Sequence, residues 1–209
     1  MLTRTYKFRL YPTHSQYSKL HNTLGACRWV YNNMVEKICK EGFQSAFDLN
    51  FFLTELKEQN PWLYEHHSKM LQMISTQIYG AEKALVGLAK KGSKTGKLKF
   101  AQYSRYTTFV YNQSGFGIKD GSLHLSKIGK ISMIQHREIP NNAKIKQIVV
   151  SRQAGKWFAC ITFDLDVVIP KPLFGSVGID VGIKNFAYDS DSHVTPNPLN
   201  LQKMLKPLA

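Results

Sequence analysis

Thr5-Tyr6-Lys7-Phe8-Arg9-Leu10-Tyr11-Pro12-Thr13-His14-Ser15-Gln16 is the stretch on which the fold turns. Through Leu10 the residues alternate strictly, with Tyr6, Phe8 and Leu10 on one face and Lys7 and Arg9 on the other. That is the pattern of a half-buried strand. Tyr11-Pro12 ends it, because proline fixes its own φ and offers no N–H to a sheet. Thr13 and Gln16 then have the spacing of a capping box, in which each side chain meets the other residue's backbone at a helix start.

The helix that opens there carries Tyr17, Leu20, Leu24, Cys27, Tyr31, Met34 and Ile38 at steps of three and four, and Glu41-Gly42 is its stop. Such a stripe needs a partner surface. A shorter helix is expected from near Asp48 until Asn60-Pro61 breaks it. A third follows on Leu71, Ile74, Ile78, Ala81, Leu85 and Leu88, closed by Lys90-Lys91-Gly92. The two long helices are expected to pack antiparallel with the short one beside them. Beyond Gly92 the texture becomes that of short strands, at 107–111, 123–125, 128–134, 144–150 and 156–166, separated by turns such as Lys119-Asp120-Gly121 and Pro140-Asn141-Asn142. Strands this closely spaced imply a small barrel or twisted sheet. The first strand can join it, which makes the helices an insertion. Ile169-Pro170-Lys171-Pro172 reads as a linker. Behind it, residues 175–188 read as a buried strand, a glycine-bearing bend and a returning strand, followed by a loop and a helix start near 201–205.

Charge carries the functional message. The chain has 209 residues and a formal net charge of +14. From Lys83 to Lys156 there are fifteen Lys/Arg against two acids, Asp120 and Glu138, so nearly all the excess lies in one middle stretch. A local field of one sign implies a polyanionic partner. Lys90, Lys91, Lys94, Lys97, Lys99 and Arg105 are interleaved with Phe100, Tyr103 and Tyr106, an arrangement suited to gripping phosphates beside rings that stack on bases. Any one of these rings can equally be packing. Arg28, Trp29 and Asn32 lie on or beside the first helix's stripe, where Asn32 is either a packing hydrogen bond or a nucleic-acid contact. The three cysteines, Cys27, Cys39 and Cys160, form no C-x-x-C pair, so no zinc site is expected, and buried free thiols are. No apolar run is long enough for a membrane span and no signal-peptide pattern opens the chain, so a cytoplasmic protein is expected.

Asp180 is the candidate for catalysis. It lies in an apolar strand between Ile179 and Val181, and a carboxylate buried there calls for compensation that a divalent metal can supply. A turn-capping aspartate is the competing reading. Asp164 and Asp166 are expected to face solvent, Asp189 and Asp191 to serve a turn, and His193 to sit in a surface loop.

These residues resemble the TnpB (OrfB) family of transposon-encoded, RNA-guided DNA nucleases. Tyr6-Lys7-Phe8-Arg9-Leu10-Tyr11-Pro12 with Gly25-Ala26-Cys27-Arg28-Trp29-Val30-Tyr31-Asn32 resembles that family's opening strand and helix. Gly96-Lys97-Leu98-Lys99-Phe100 is similar to its basic loop. Gly178-Ile179-Asp180-Val181-Gly182-Ile183-Lys184-Asn185-Phe186-Ala187 is similar to its first RuvC motif. The resemblance implies an α+β chain: a wedge-like β-barrel (1–12 and 93–168) interrupted by a helical recognition lobe (13–92). A Pro-rich linker (169–174) and the first β-hairpin of an incomplete RNase H-like, RuvC-type domain (175–209) complete it. It further implies guide RNA and target DNA as partners, held by Lys7, Arg9, Arg28, Asn32, Tyr103 and the cations of the basic loop. Asp180 would be one of three carboxylates for Mg2+ or Mn2+. The glutamate, second aspartate and zinc ribbon of that family have no counterpart here, so the expectation is a chain truncated within the RuvC-like domain and unable to cut. A stand-alone nuclease-dead RNA- or DNA-binding regulator and a decayed transposase fragment are the alternatives.

Overall fold

The computed structural model describes residues 2–166 and 175–205. The chain divides into two compact units, residues 1–167 and 168–209, and each is described by itself.

In the first unit, β1 (Leu2–Tyr11) leads into α1 (His14–Glu41), and the expected capping box between Thr13 and Gln16 is present. Gly42 closes α1, its N–H bonded to the Ile38 carbonyl. α2 (Ala46–Gln59) starts two residues earlier than expected. Ser45 and Asp48 form a second capping box, which the apolar pattern alone did not reveal. A 3-10 turn over Pro61–Glu65 precedes α3 (Ser68–Lys90). Leu71, Ile74 and Ile78 of α3 are buried, but Ala81 and Leu88 are exposed, so only the first half of its apolar stripe reaches the core.

The strands are β2 (Thr108–Asn112), β3 (Phe116–Lys119), β4 (Ser122–Leu125), β5 (Gly129–Ile134), β6 (Lys144–Gln153) and β7 (Lys156–Leu165). β3 was not expected; its Phe-Gly-Ile-Lys run is short and half-buried. Asp120 and Gly121, both at positive φ, make the tight β3–β4 turn. With β1 the strands form a seven-stranded antiparallel sheet in the order β2-β6-β7-β1-β5-β4-β3. β1 therefore lies inside the sheet, paired with β7 on one side and β5 on the other, and the three helices are inserted between it and the remaining strands.

This order forces curvature. β2 and β3 are the two outer strands, yet only residues 113–115 connect them. Seven flat strands would hold the outer pair about 29 Å apart, whereas the four residue steps from Asn112 to Phe116 reach at most about 14 Å. The sheet consequently curls into a half-barrel. The buried Tyr111 of β2 reaches across to the turn after β4, donating its hydroxyl to the Ser126 carbonyl at 2.8 Å. Inward residues of alternate positions fill the curl: Phe8 and Leu10 of β1, Ile148 and Val150 of β6, and Trp157, Ala159, Ile161 and Phe163 of β7. They form one apolar cluster with Leu20, Leu24, Cys27 and Met34 of α1 and Leu71 and Ile74 of α3. Burying each Val, Leu, Ile, Phe or Met side chain among them contributes about 1.5–3 kcal/mol.

Two expectations are corrected here. Asp164 is buried, 6% exposed, because it lies on the paired length of β7. Thr3 donates to it at 2.6 Å, and Lys146, the residue at a β6 bulge, reaches it at 3.0 Å. Of the cysteines only Cys27 is buried; Cys39 is exposed and Cys160 half-buried. No helix among the described residues is long and apolar enough to cross a membrane.

The second unit contains β8 (Ile179–Val181), β9 (Asn185–Asp189) and β10 (Val194–Pro196) in an antiparallel sheet ordered β10-β9-β8, then α4 (Asn200–Leu205). The expected strand–bend–strand is present, but it is not buried. Ile179 is 65% and Val181 71% exposed. The expected linker at 169–174 lies outside the described residues.

Candidate nucleic-acid interface

The basic loop runs from the C-terminus of α3 to β2. Lys90, Lys91, Lys94, Lys97, Lys99 and Arg105 are all exposed on it. At its end the Thr107 carbonyl accepts the Arg152 N–H of β6 at 2.8 Å, and α1 clips the middle of the loop in place. Asn32 accepts the Ala101 N–H at 2.8 Å and donates to the Ala101 carbonyl at 3.2 Å, while Tyr31 donates its hydroxyl to the Lys99 carbonyl at 3.2 Å. Both ends of the Asn32 amide are thus committed to protein backbone, and of its two sequence readings the geometry matches the packing hydrogen bond. Of the three rings, Phe100 and Tyr103 are exposed, whereas Tyr106 packs against Tyr31 with ring centres 5.9 Å apart. Burial pushes the Tyr106 hydroxyl far above its ordinary range, as befits a packed ring.

Lys7 and Arg9 project from the outward face of β1. Lys7 Nζ donates to Gln153 Oε1 at 2.6 Å and lies 4.4 Å from the centre of the Phe158 ring. Arg9 sits near both Tyr11 and Phe158, at 5.3 and 5.2 Å. No Asp or Glu pairs with either cation among the described residues.

Where α1 meets the sheet and the loop, two arginines converge on one exposed ring: Arg28 lies 5.9 Å and Arg152 5.5 Å from the centre of Tyr103. Arg152 Nη1 is 3.3 Å from His21 Nδ1. Because a guanidinium can only donate, His21 accepts there, is neutral, and carries its proton on Nε2. Burial first, and the Arg152 charge second, hold the His21 imidazole below its ordinary value. His21 also packs near Tyr17 and Trp157, at 4.5 and 5.4 Å. Arg152 and His21 were not singled out from the sequence. They belong to a strand and a helix 131 residues apart, and no local pattern joins them.

Asp180 pairs with Tyr188 across β8 and β9, whereas Asp189 pairs with Ile179. Since neighbouring strand positions face opposite sides, the two aspartates point to different faces. Asp189 accepts the backbone N–H of Asp191 and of His193, both at 2.9 Å, and its carboxylate lies 3.1 Å from His193 Nδ1. It is a turn-capping residue, as expected. Asp180 is exposed, and no group of three His, Cys, Asp or Glu able to hold a metal occurs among the described residues. The residues present therefore do not by themselves fit a metal pair, and the premise that Asp180 is desolvated on an interior strand is corrected. Among the described residues of this unit, Ile179, Val181, Phe186 and Tyr188 of the small sheet are all exposed.

Comparison with known proteins meets this geometry at several points. Residues 1–41 match the helix-turn-helix domain of the OrfB/IS605 type. Over 205 residues the chain is 30% identical to a Streptomyces pristinaespiralis protein named "Putative RNA-guided DNA endonuclease", covering 93% of this chain and 50% of that protein. It is 26% identical over 219 residues to "Putative RNA-guided DNA endonuclease InsQ" of Escherichia coli (strain K12), covering 99% of this chain and 52% of the relative. The chain is similar to these proteins along its length and to the OrfB/IS605-type domain over its first 41 residues. It spans about half the length of these curated relatives. In this chain the 41 matched residues fold as one strand and one long helix, and the next helix begins only at Ala46. A two-helix reader placed in a major groove is therefore not contained in the matched segment. What the segment contributes is the central sheet strand, the helix that clips the basic loop, and Lys7, Arg9 and Arg28.

Proposed function

We propose that this chain is the nucleic-acid-binding portion of a transposon-associated RNA-guided DNA endonuclease, gripping guide RNA and target DNA through its first unit. The observation that carries this reading is an imbalance of charge without internal partners. Of the fifteen cations between Lys83 and Lys156, Lys146 alone lies within salt-bridge distance of a carboxylate among the described residues. Unpaired cations on an exposed loop and an outward sheet face, beside exposed rings, suit a phosphate polymer with accessible bases. The names of the relatives supply the RNA and DNA.

Asp180 serves in this reading as one carboxylate of a Mg2+ or Mn2+ site whose other ligands are not among the described residues. Two-metal cleavage needs several carboxylates to hold ions about 4 Å apart, so the 209-residue polypeptide binds without cutting. Binding is tested by fluorescence anisotropy with a structured RNA and a DNA duplex across a potassium chloride series. The expected result is an affinity that falls linearly on a log–log scale with salt, with a slope of about −0.9 per neutralised duplex phosphate. No binding at low salt would refute the proposal. Cleavage is tested by a Mg2+-dependent nicking assay on the chain and on Asp180→Ala. Robust nicking that the substitution abolishes would overturn the statement that this polypeptide does not cut.

A further inference from the structure

The described residues hold a group of buried side-chain donors that lack any partner, and several fall in one place. Arg28 Nε, His21 Nε2 and Trp157 Nε1 are all enclosed without a hydrogen bond. Contacts connect all three residues: Arg28 and Arg152 share the Tyr103 ring, Arg152 meets His21, and His21 meets Trp157 edge-on. Buried polar groups are almost always satisfied, so a set of orphaned donors in one seam asks for a specific acceptor. Two guanidiniums beside one ring also repel each other unless an anion lies near them.

Among the described residues no carboxylate pairs with Arg28 or Arg152. The segments that build the seam are 1–35, 83–119 and 139–163, and they contain not one Asp or Glu. A side-chain rearrangement within them therefore cannot supply a carboxylate. Tyr103 is 60% exposed, so the shared ring faces solvent and is reachable by a ligand. A small cleft of about 230 Å³, lined by Arg9, Tyr11, Tyr17 and Trp157 among others, lies beside this seam, with Tyr17 packed on His21 at 4.5 Å.

We infer that the seam between α1, the basic loop and the β6–β7 hairpin is a phosphate clamp, in which Arg28 and Arg152 take neighbouring backbone phosphates of a nucleic-acid strand crossing Tyr103. The ring holds the two guanidiniums apart and in place, and neutral His21 orients Arg152 through Nδ1. This inference rests on the nucleic-acid reading above and gives it a defined site. A guanidinium suits the role because its planar fork matches phosphate oxygens. Lys at either position would keep the charge and lose the geometry.

The test compares the wild type with Arg28→Gln/Arg152→Gln, and with Lys119→Gln/Lys130→Gln as a control of equal charge loss. The probes are a 12-nucleotide single-stranded RNA and the DNA of the same sequence, titrated over a salt series. Removing two phosphate contacts is expected to reduce the steepness of the log–log salt slope by roughly 1.4 and to weaken binding roughly 10- to 100-fold at fixed salt. The control is expected to lose less than half as much. The strand type that loses more identifies the source of the phosphates. If the wild type binds neither strand, the nucleic-acid reading itself has failed. If it binds but the arginine variant loses no more than the control, the clamp alone is refuted. A measurement on the wild type guards against a misfolded variant. Phenylglyoxal modification, followed by mass spectrometry, is expected to slow at Arg28 and Arg152 when either oligonucleotide is bound, with Arg137 as the reference. Equal reactivity of the pair with and without bound strand would also overturn the clamp.

Discussion

Asn32→Ala separates a structural clip from a ligand contact. In the wild type the Asn32 side chain closes a two-way hydrogen-bonded pair with Ala101, at 2.8 Å from the backbone N–H and 3.2 Å to the carbonyl. Alanine removes both bonds. Each is worth about 0.5–1.5 kcal/mol net. Ala101 is half-buried, so water recovers part of the loss and the expected destabilisation is about 1–2 kcal/mol. For a chain of this size that corresponds to a fall in Tm of about 2–8 °C. The same change frees the loop carrying Lys99, Tyr103 and Arg105 from α1, so nucleic-acid affinity is expected to weaken as well. Asn32→Asp keeps the acceptor for the Ala101 N–H but sets a carboxylate against the Ala101 carbonyl, and is expected to lose stability too. Urea denaturation and anisotropy on the three proteins settle the matter. If Asn32→Ala leaves the urea midpoint unchanged while abolishing binding, Asn32 is a direct contact and the clip is the wrong explanation.

Two further perturbations probe the sheet. Gly115 has φ +83°, and a Cβ there would lie 2.5 Å from His67 Nε2, on a ring stacked against Tyr111 at 5.3 Å. Gly115→Ala is expected to cost about 2–4 kcal/mol through overpacking and backbone strain, while Gly117→Ala, with nothing within 4 Å of its added Cβ, does not; equal urea midpoints for the two variants would refute the close approach. The Thr3 hydroxyl, and after it the Lys146 ammonium, hold the Asp164 carboxyl below its ordinary range. A carboxyl depressed in the folded state contributes stability above its unfolded value, and the contribution is lost as pH falls through the folded one. Unfolding free energy is therefore expected to drop from about pH 5 downward, more gently in Asp164→Asn; identical pH profiles for the two proteins would show that the pair contributes nothing.

The half-barrel and its inserted helices were legible because they rest on local signals. Alternation in β1, the Thr13–Gln16 capping box and the three-and-four spacing of Leu20, Leu24 and Cys27 each express one element's own periodicity. Three features were not legible, for one common reason. Asp164 looked exposed because an acid near a strand's end normally is, yet Thr3 and Lys146 reach it from the two strands beside β7. Arg152 gave no signal because its significance is the company of Arg28, Tyr103 and His21. Asp180 looked buried because Ile179 and Val181 flank it, and an apolar flank reports only the preference for a covering layer. Among the described residues of its own unit no such layer covers Asp180, and its carboxylate is exposed.

The strand–helix pair at residues 1–41 shows how far function depends on that company. β1 is held on both sides: its residues Leu2–Leu10 are paired with β7, and Arg9–Tyr11 with β5 as well. Removing it would divide the sheet into β2-β6-β7 and β5-β4-β3. The buried stripe of α1 belongs to the same apolar cluster as α3 and the strands. A segment whose strand pairs and apolar face are met by residues beyond Glu41 is not an autonomous reading head, whatever grooves isolated helix-turn-helix units enter elsewhere. Its contribution to binding is architectural. It sets Lys7 and Arg9 on the outer sheet face, brings Arg28 to the ring that Arg152 shares, and fixes the basic loop through Tyr31 and Asn32. The positive field of the middle stretch becomes a shaped surface because these first 41 residues hold it in register.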